Sequence, residues 1–143
     1  MSARGAGEEL ATLRVTPDRL TTARYAGASG DFNPLHLDDE FARSVGLPGR
    51  ILHGLYTMAL VARAQTEAFG GPEHLRRLAV QFRGAAVPEQ EITIVSTVTA
   101  REPASRGAGG ERVSVSATVQ QGGKSIIRGA SAELEVPADP ADR

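Results

Sequence analysis

Residues 54 to 69, GLYTMALVARAQTEAF, constrain the fold more than any other stretch. They open at His53-Gly54 and stop at Gly70-Gly71-Pro72, which is helix punctuation at both ends. Leu55, Met58, Ala59, Ala62 and Phe69 recur at helical spacing and give an apolar face. Leu60, Val61 and Ala64 carry the apolarity most of the way round. A helix that is apolar on nearly all sides belongs inside a protein, and small alanines let it lie close to a sheet. The rest of the chain supplies that sheet. Leu78, Val80 and Phe82 alternate with polar residues, then Ile92, Ile94 and Val98, then Val113, Val115, Ala117 and Val119, and last Ala130, Ala132, Leu134 and Val136. This period of two marks four strands. Residues 106–110 (RGAGG) and Gln121-Gly122-Gly123 are the turns, the first of them long and expected to be mobile. The expected class is α+β, an antiparallel β-sheet wrapped around one long central helix.

The part before that helix is more irregular. Ala11, Leu13 and Val15 alternate as a short first strand. Thr16-Pro17 reads as an N-cap followed by proline at the first helical position, and Leu20, Ala23 and Gly27 follow at helical spacing to about Ala28. A second short helix starts near Asp38, capped by Asp38 or Asp39, with Phe41 and Val45 on one face and Gly46 as its stop. With 143 residues, no internal repeat and no linker, a single domain over residues 10–136 is expected, with flexible ends at 1–9 and 137–143. An antiparallel sheet around one helix leaves an edge open, so a dimer joining two sheets is the default expectation.

Composition closes several doors. The net charge is -1, so no basic field argues for nucleic acid. There is no cysteine, hence no disulfide frame and no thiolate nucleophile. No apolar run approaches a membrane span, and the N-terminus shows no secretory h-region, so a cytoplasmic protein without membrane contact is expected. Lys124 is the only lysine, which leaves one candidate for Schiff-base chemistry. No P-loop or dinucleotide fingerprint occurs, and no cofactor is implied.

The chemistry concentrates in SGDFNPLHLDDEF, residues 29 to 41. Asp31 and His36 are five apart, a spacing that would point them apart on a regular helix. Pro34 prevents that helix and pushes Asn33 toward an extended conformation, while Gly30 frees the backbone just before the aspartate. Such a turn can aim a carboxylate and an imidazole into one cavity, where they share a water and move protons. At His53-Gly54 the central helix begins. Its first N–H groups have no internal partner and sit at the positive end of the helix, and glycine leaves the Gly54 N–H open to a carbonyl oxygen. Spacing alone also allows plainer roles: Asp31 as a turn cap, His36 as a packed or exposed histidine, and His53 as a structural residue at a helix start. Asp38, Asp39 and Glu40 read as an acidic first turn, and His74 as a surface residue. A metal site from Asp31, His36, Asp38 and His53 matches no zinc or EF-hand spacing, so none is expected.

Taken together, these stretches resemble a known family. "YAGASGDFNPLHLDDEFA" is similar to the hydratase-2 signature of MaoC-like hot-dog proteins, the (R)-specific enoyl-thioester hydratases and 3-hydroxyacyl-thioester dehydratases. "GLPGRILHGLYTMAL" and "LAVQFRGAAVPEQEI" continue the likeness, which spans residues 10 to 136. The resemblance implies a single hot-dog fold, with a central helix at about 54–69 and short overhanging helices at about 17–46. It places the catalytic pair at Asp31 and His36 and the thioester carbonyl on the Gly54 N–H. Asn33, Gly30, Pro34 and His53 fall in supporting positions. It implies acyl-CoA or acyl-carrier-protein thioesters as substrates, no metal or redox cofactor, and active sites at a dimer interface. Several CoA-specific members have a serine two turns into the central helix, where this chain has Ala62. "HGLYTMAL" resembles instead the actinobacterial (R)-3-hydroxyacyl-carrier-protein dehydratase subunits, which pair with a catalytically silent hot-dog partner. A heterodimer therefore stands beside the homodimer. A non-catalytic acyl-thioester-binding subunit and a hot-dog thioesterase stand beside the hydratase.

Overall fold

The computed structural model describes residues 6–104 and 109–138. In chain order the elements are β1 (Leu13–Val15), α1 (Thr21–Ser29), a 3-10 turn (Pro34–His36), α2 (Asp39–Ser44), α3 (Gly54–Ala68), a second 3-10 turn (Pro72–His74), β2 (Leu75–Phe82), β3 (Ile92–Pro103), β4 (Glu111–Gln121) and β5 (Lys124–Val136). The strands form one antiparallel sheet in the order β1-β3-β4-β5-β2. Before β1 the chain already pairs with β3: the Gly7 N–H donates to Val98 O, and Leu10 is buried. Part of the flexible ends expected at 1–9 and 137–143 lies outside the described residues, as does most of the mobile turn expected at 106–110.

The sheet folds around α3 as the apolar patterning requires. Ile92, Ile94, Val119, Ile126 and Ile127 form one buried cluster with Leu52, Leu60, Val61 and Ala64. Val98, Val113, Val115, Ala132 and Leu134 form a second with Leu10, and Ala68 and Phe69 pack against it. The turn between β4 and β5 is a two-residue hairpin, with Gln121 opposite Lys124 and both Gly122 and Gly123 at positive φ.

Three expectations need correction. First, α1 starts at Thr21 rather than after Thr16-Pro17. The N-cap is Leu20, which makes no side-chain cap; ahead of it the Asp18 carboxylate accepts from the Leu20 N–H and the Thr21 hydroxyl. The buried face of α1 is Thr21, Thr22 and Ala26, whereas Leu20 is half-exposed. Second, the buried face of α3 is Thr57, Leu60, Val61, Ala64 and Gln65 rather than the Leu55/Met58/Ala59/Ala62 stripe, and Leu55 is exposed. The two polar residues go inside because each finds a partner there. Thr57 Oγ1 donates to Gly54 O, and Gln65 Nε2 donates to Ser96 Oγ across the core. Third, Phe82 keeps the alternation with Leu78 but is not enclosed by the core. A bulge sets Gly129 and Ala130 of β5 against the single residue Val80, and Gly129 takes φ 59°. Phe82 pairs with the buried Ile127 and stays on the helix side of the sheet, but it lies at the rim, 48% exposed, against the start of α3.

Asp18 also yields a pH prediction. The Arg24 guanidinium grips both its carboxylate oxygens at 2.8 and 2.9 Å. That hydrogen bond is the main cause holding its pKa below the ordinary 3.8, against a smaller opposing effect of burial. A carboxylate with a lowered folded pKa stabilises the fold above its unfolded value and loses that contribution as pH falls through the folded one. Asp18→Asn should therefore lower the thermal midpoint at neutral pH. The gap from wild type should close in acid, as read by melts across a pH series.

Candidate active site

The stretch from Gly30 to His36 is built by short-range hydrogen bonds. Gly30 ends α1 at φ 77°, a left-handed conformation that suits glycine, and its N–H donates to Ala26 O. The Asp31 N–H donates to Ser29 Oγ, the Asn33 N–H to Asp31 Oδ1 at 3.2 Å, and the Leu35 N–H to Asn33 Oδ1 at 3.1 Å. Two successive side-chain turns thus fold the chain back on itself. Asn33 has ψ 129°, the extended form a residue before proline prefers, and Pro34 opens the single 3-10 turn that carries His36. Asp31 Oδ2 then lies 3.7 Å from His36 Nε2. At that separation there is no direct hydrogen bond, but one water can touch both atoms.

His36 is held from behind. Its Nδ1 lies 2.8 Å from Ile51 O. A carbonyl only accepts, so Nδ1 carries the proton, and in the neutral ring Nε2 is left bare toward Asp31. The loop that supplies Ile51 is itself pinned by the Ile51 N–H donating to Leu35 O. The His36 side chain is 11% exposed and that of Asp31 is 53% exposed, so the pair has one enclosed member and one open to solvent.

His53 caps α3 and reaches back to the pair. Its Nε2 is 3.0 Å from the Asp31 backbone oxygen, and its ring stacks on His36 with centroids 3.8 Å apart and planes 23° from parallel. The next peptide along is that of Gly54. The N–H opening α3 therefore lies one residue from a side chain that touches both Asp31 and His36. A Cβ on Gly54 would meet the Phe82 ring at 3.3 Å.

Asp31, His36, Asn33, Gly30, Pro34, His53 and Gly54 thus come together. Asp38 does not: its carboxylate accepts from the Glu40 and Phe41 N–H groups and caps α2. His74 lies beside Glu73, outside the cluster. Donor atoms of Asp31, His36 and His53 all lie within 4.8 Å of one another, which raises the metal question again. The ring geometry answers against it. Imidazole lone pairs lie in the ring plane, and two stacked, nearly parallel rings do not converge on one ion.

Sequence reasoning missed the neighbours. Tyr25 packs on His53 with centroids 4.7 Å apart, and Tyr56 meets Tyr25 edge-on at 5.9 Å. Both line a cleft of about 300 Å³ with Thr21, Arg24 and Ala28. Burial pushes the Tyr56 hydroxyl pKa up, with Arg63 opposing, so it stays protonated at neutral pH. The signal available was Tyr25 itself, six residues before Asp31, but nothing in its spacing pairs it with residue 53.

A family model described as a MaoC like domain matches residues 4–121. The chain belongs to the MaoC-like dehydratase family. Over 78 residues it is 42% identical to the fatty acid synthase subunit beta of Aspergillus oryzae, covering 52% of this chain and 4% of that protein. Over 127 residues it is 31% identical to the peroxisomal multifunctional enzyme type 2 of Drosophila melanogaster, covering 87% of this chain and 19% of that protein. The chain thus spans less than a fifth of either relative. Among solved structures, the (R)-hydratase from A. caviae involved in PHA biosynthesis superposes with a TM-score of 0.80 at 22% identity, covering 96% of this chain and 100% of that one. That likeness shows the shared hot-dog fold. No helix among the described residues is long and apolar enough to cross a membrane.

Proposed function

We propose that this MaoC-like chain hydrates trans-2-enoyl thioesters to (R)-3-hydroxyacyl thioesters and runs the reverse dehydration, with the acyl group on CoA or acyl carrier protein. The observation that carries this reading is the Asp31–His36 pair, 3.7 Å apart, with the His36 proton directed at Ile51 O. In hydration one water sits between the two groups. Its oxygen forms a bond to Cβ, one of its protons is taken up by the pair, and the pair delivers a proton to Cα on the same face. The electrons of the double bond move toward the thioester oxygen as the C–O bond forms, and the Gly54 N–H stabilises the enolate-like charge there. No oxidant or cofactor is needed for this balance.

A dimer, of two copies or with a second hot-dog subunit, belongs to the same proposal. Asp31 is half-exposed in the single chain, and Phe32, Leu55 and Phe82 are exposed too. A partner on that side would enclose the open half of the pair. The proposal also carries a cytoplasmic setting, in keeping with a chain free of cysteine.

The deciding assay follows crotonyl-CoA with the purified chain. Hydration removes the enoyl absorbance without releasing free thiol. Thiol release would assign a thioesterase instead, and no change on CoA or carrier-protein substrates would remove the reading. Gly54→Ala adds the second test. Alanine favours the helix, so the fold should persist. The added methyl pushes the Phe82 ring and narrows the approach to the N–H, so kcat/KM should fall by up to about 10²-fold, the size of losing one oxyanion donor. Unchanged kcat/KM would place the carbonyl elsewhere.

A further inference from the structure

We infer that His53 is a positioning residue for the reacting pair, held in the tautomer opposite to that of His36. The inference rests on the reading of Asp31 and His36 as that pair. His53 is 2% exposed, and its Nε2 lies 3.0 Å from the Asp31 carbonyl oxygen. That oxygen only accepts, so Nε2 carries the proton and the neutral ring has a bare Nδ1. This Nδ1 is buried with no hydrogen-bond partner among the described residues. His36 is the mirror case, with its proton on Nδ1 toward Ile51 O and its bare nitrogen toward Asp31. The two stacked rings therefore have different tasks. One fixes the backbone of Asp31, and the other presents a lone pair to its carboxylate.

An unpartnered buried nitrogen is a cost that folding alone would select against. A phenylalanine would fill the same space between Tyr25 and His36 without it. What the imidazole adds is one N–H aimed at the residue that carries the carboxylate, from the cap of the helix that presents the Gly54 N–H. His53 thus ties together Asp31, His36 and the start of α3. The position left open by Ala62 does not leave Asp31 unsupported: the Asn33 N–H holds its carboxylate and His53 holds its carbonyl. The groups facing the His53 ring are Tyr25, His36 and Asp31.

Two variants separate the two contacts. His53→Gln keeps an N–H within reach of the Asp31 carbonyl and loses the stack. His53→Phe keeps the stack and loses the donor. Each should lower kcat by about tenfold to a hundredfold, the scale of a small misplacement at a reacting centre, with KM within about threefold. In the Asp31→Asn background both should add little, because a residue that acts through the pair has nothing left to position. Long-range nitrogen–proton NMR of the wild-type imidazoles supplies a readout independent of turnover. It should show His36 protonated on Nδ1 and His53 on Nε2. The same tautomer on both rings, unchanged kcat in both variants, or a full further loss in the Asp31→Asn background would each overturn the inference. If the wild type hydrates no enoyl thioester, the function falls, and the tautomers still decide whether His53 anchors Asp31.

Discussion

Asp31→Asn is expected to leave a folded chain whose hydration rate is about 10²- to 10⁴-fold lower, the usual contribution of a positioned acid–base group. The substitution is nearly isosteric. The introduced asparagine can still accept the Asn33 N–H through its side-chain oxygen, and its backbone oxygen remains for His53. The native side chain is 53% exposed, so little packing is at stake. What disappears is the carboxylate opposite His36 Nε2, one of the two groups proposed to share the water and move its protons. The loss should appear in kcat, with KM and the thermal midpoint close to wild type. A variant with wild-type turnover would remove Asp31 from the chemistry.

His36→Gln should cost turnover on the same scale, about 10²- to 10⁴-fold, but with a different signature in stability. His36 is mostly buried, stacked on His53 and hydrogen-bonded to Ile51 O at 2.8 Å. Glutamine can reach toward Ile51 O or toward Asp31, but not both. Leaving a buried partner unmet costs about 1–3 kcal/mol, so denaturant unfolding should show a loss in that range. The double variant Asp31→Asn/His36→Gln should be scarcely slower than either single variant, since residues that act as a unit fail together. Additive losses would indicate two independent roles.

The sheet is legible in the sequence because burial along β3 and β4 alternates strictly over most of their length, and a period of two survives translation into structure. The short helices are legible where a cap names itself, as Asp38 does for α2. The start of α1 is not, because Thr16-Pro17 reads as a cap while the helix begins at Thr21 with no side-chain cap at Leu20, and only packing chooses. Here the Pro17 carbonyl is occupied by the Glu89 N–H, from a loop far along the chain. The inward face of α3 is hidden because Thr57 and Gln65 are polar by type and buried by partnership, and the partner of Gln65 lies on β3. Asp31 and His36 stand out because Asn33-Pro34 and the following 3-10 turn are local devices. The Ile51 carbonyl, the His36–His53 stack and the Phe82 contact at Gly54 join segments distant in the chain, and no local pattern encodes them.

The proposed mechanism has one water, held between Asp31 and His36, add its oxygen and a proton to the same face of the double bond. Hydration of crotonyl-CoA in D2O, with NMR and chiral resolution of the product, tests it most directly. The expected product is the (R)-3-hydroxyacyl thioester carrying a single deuterium at Cα, on the face to which the oxygen was added. An (S) product, or deuterium on the opposite face, would contradict it.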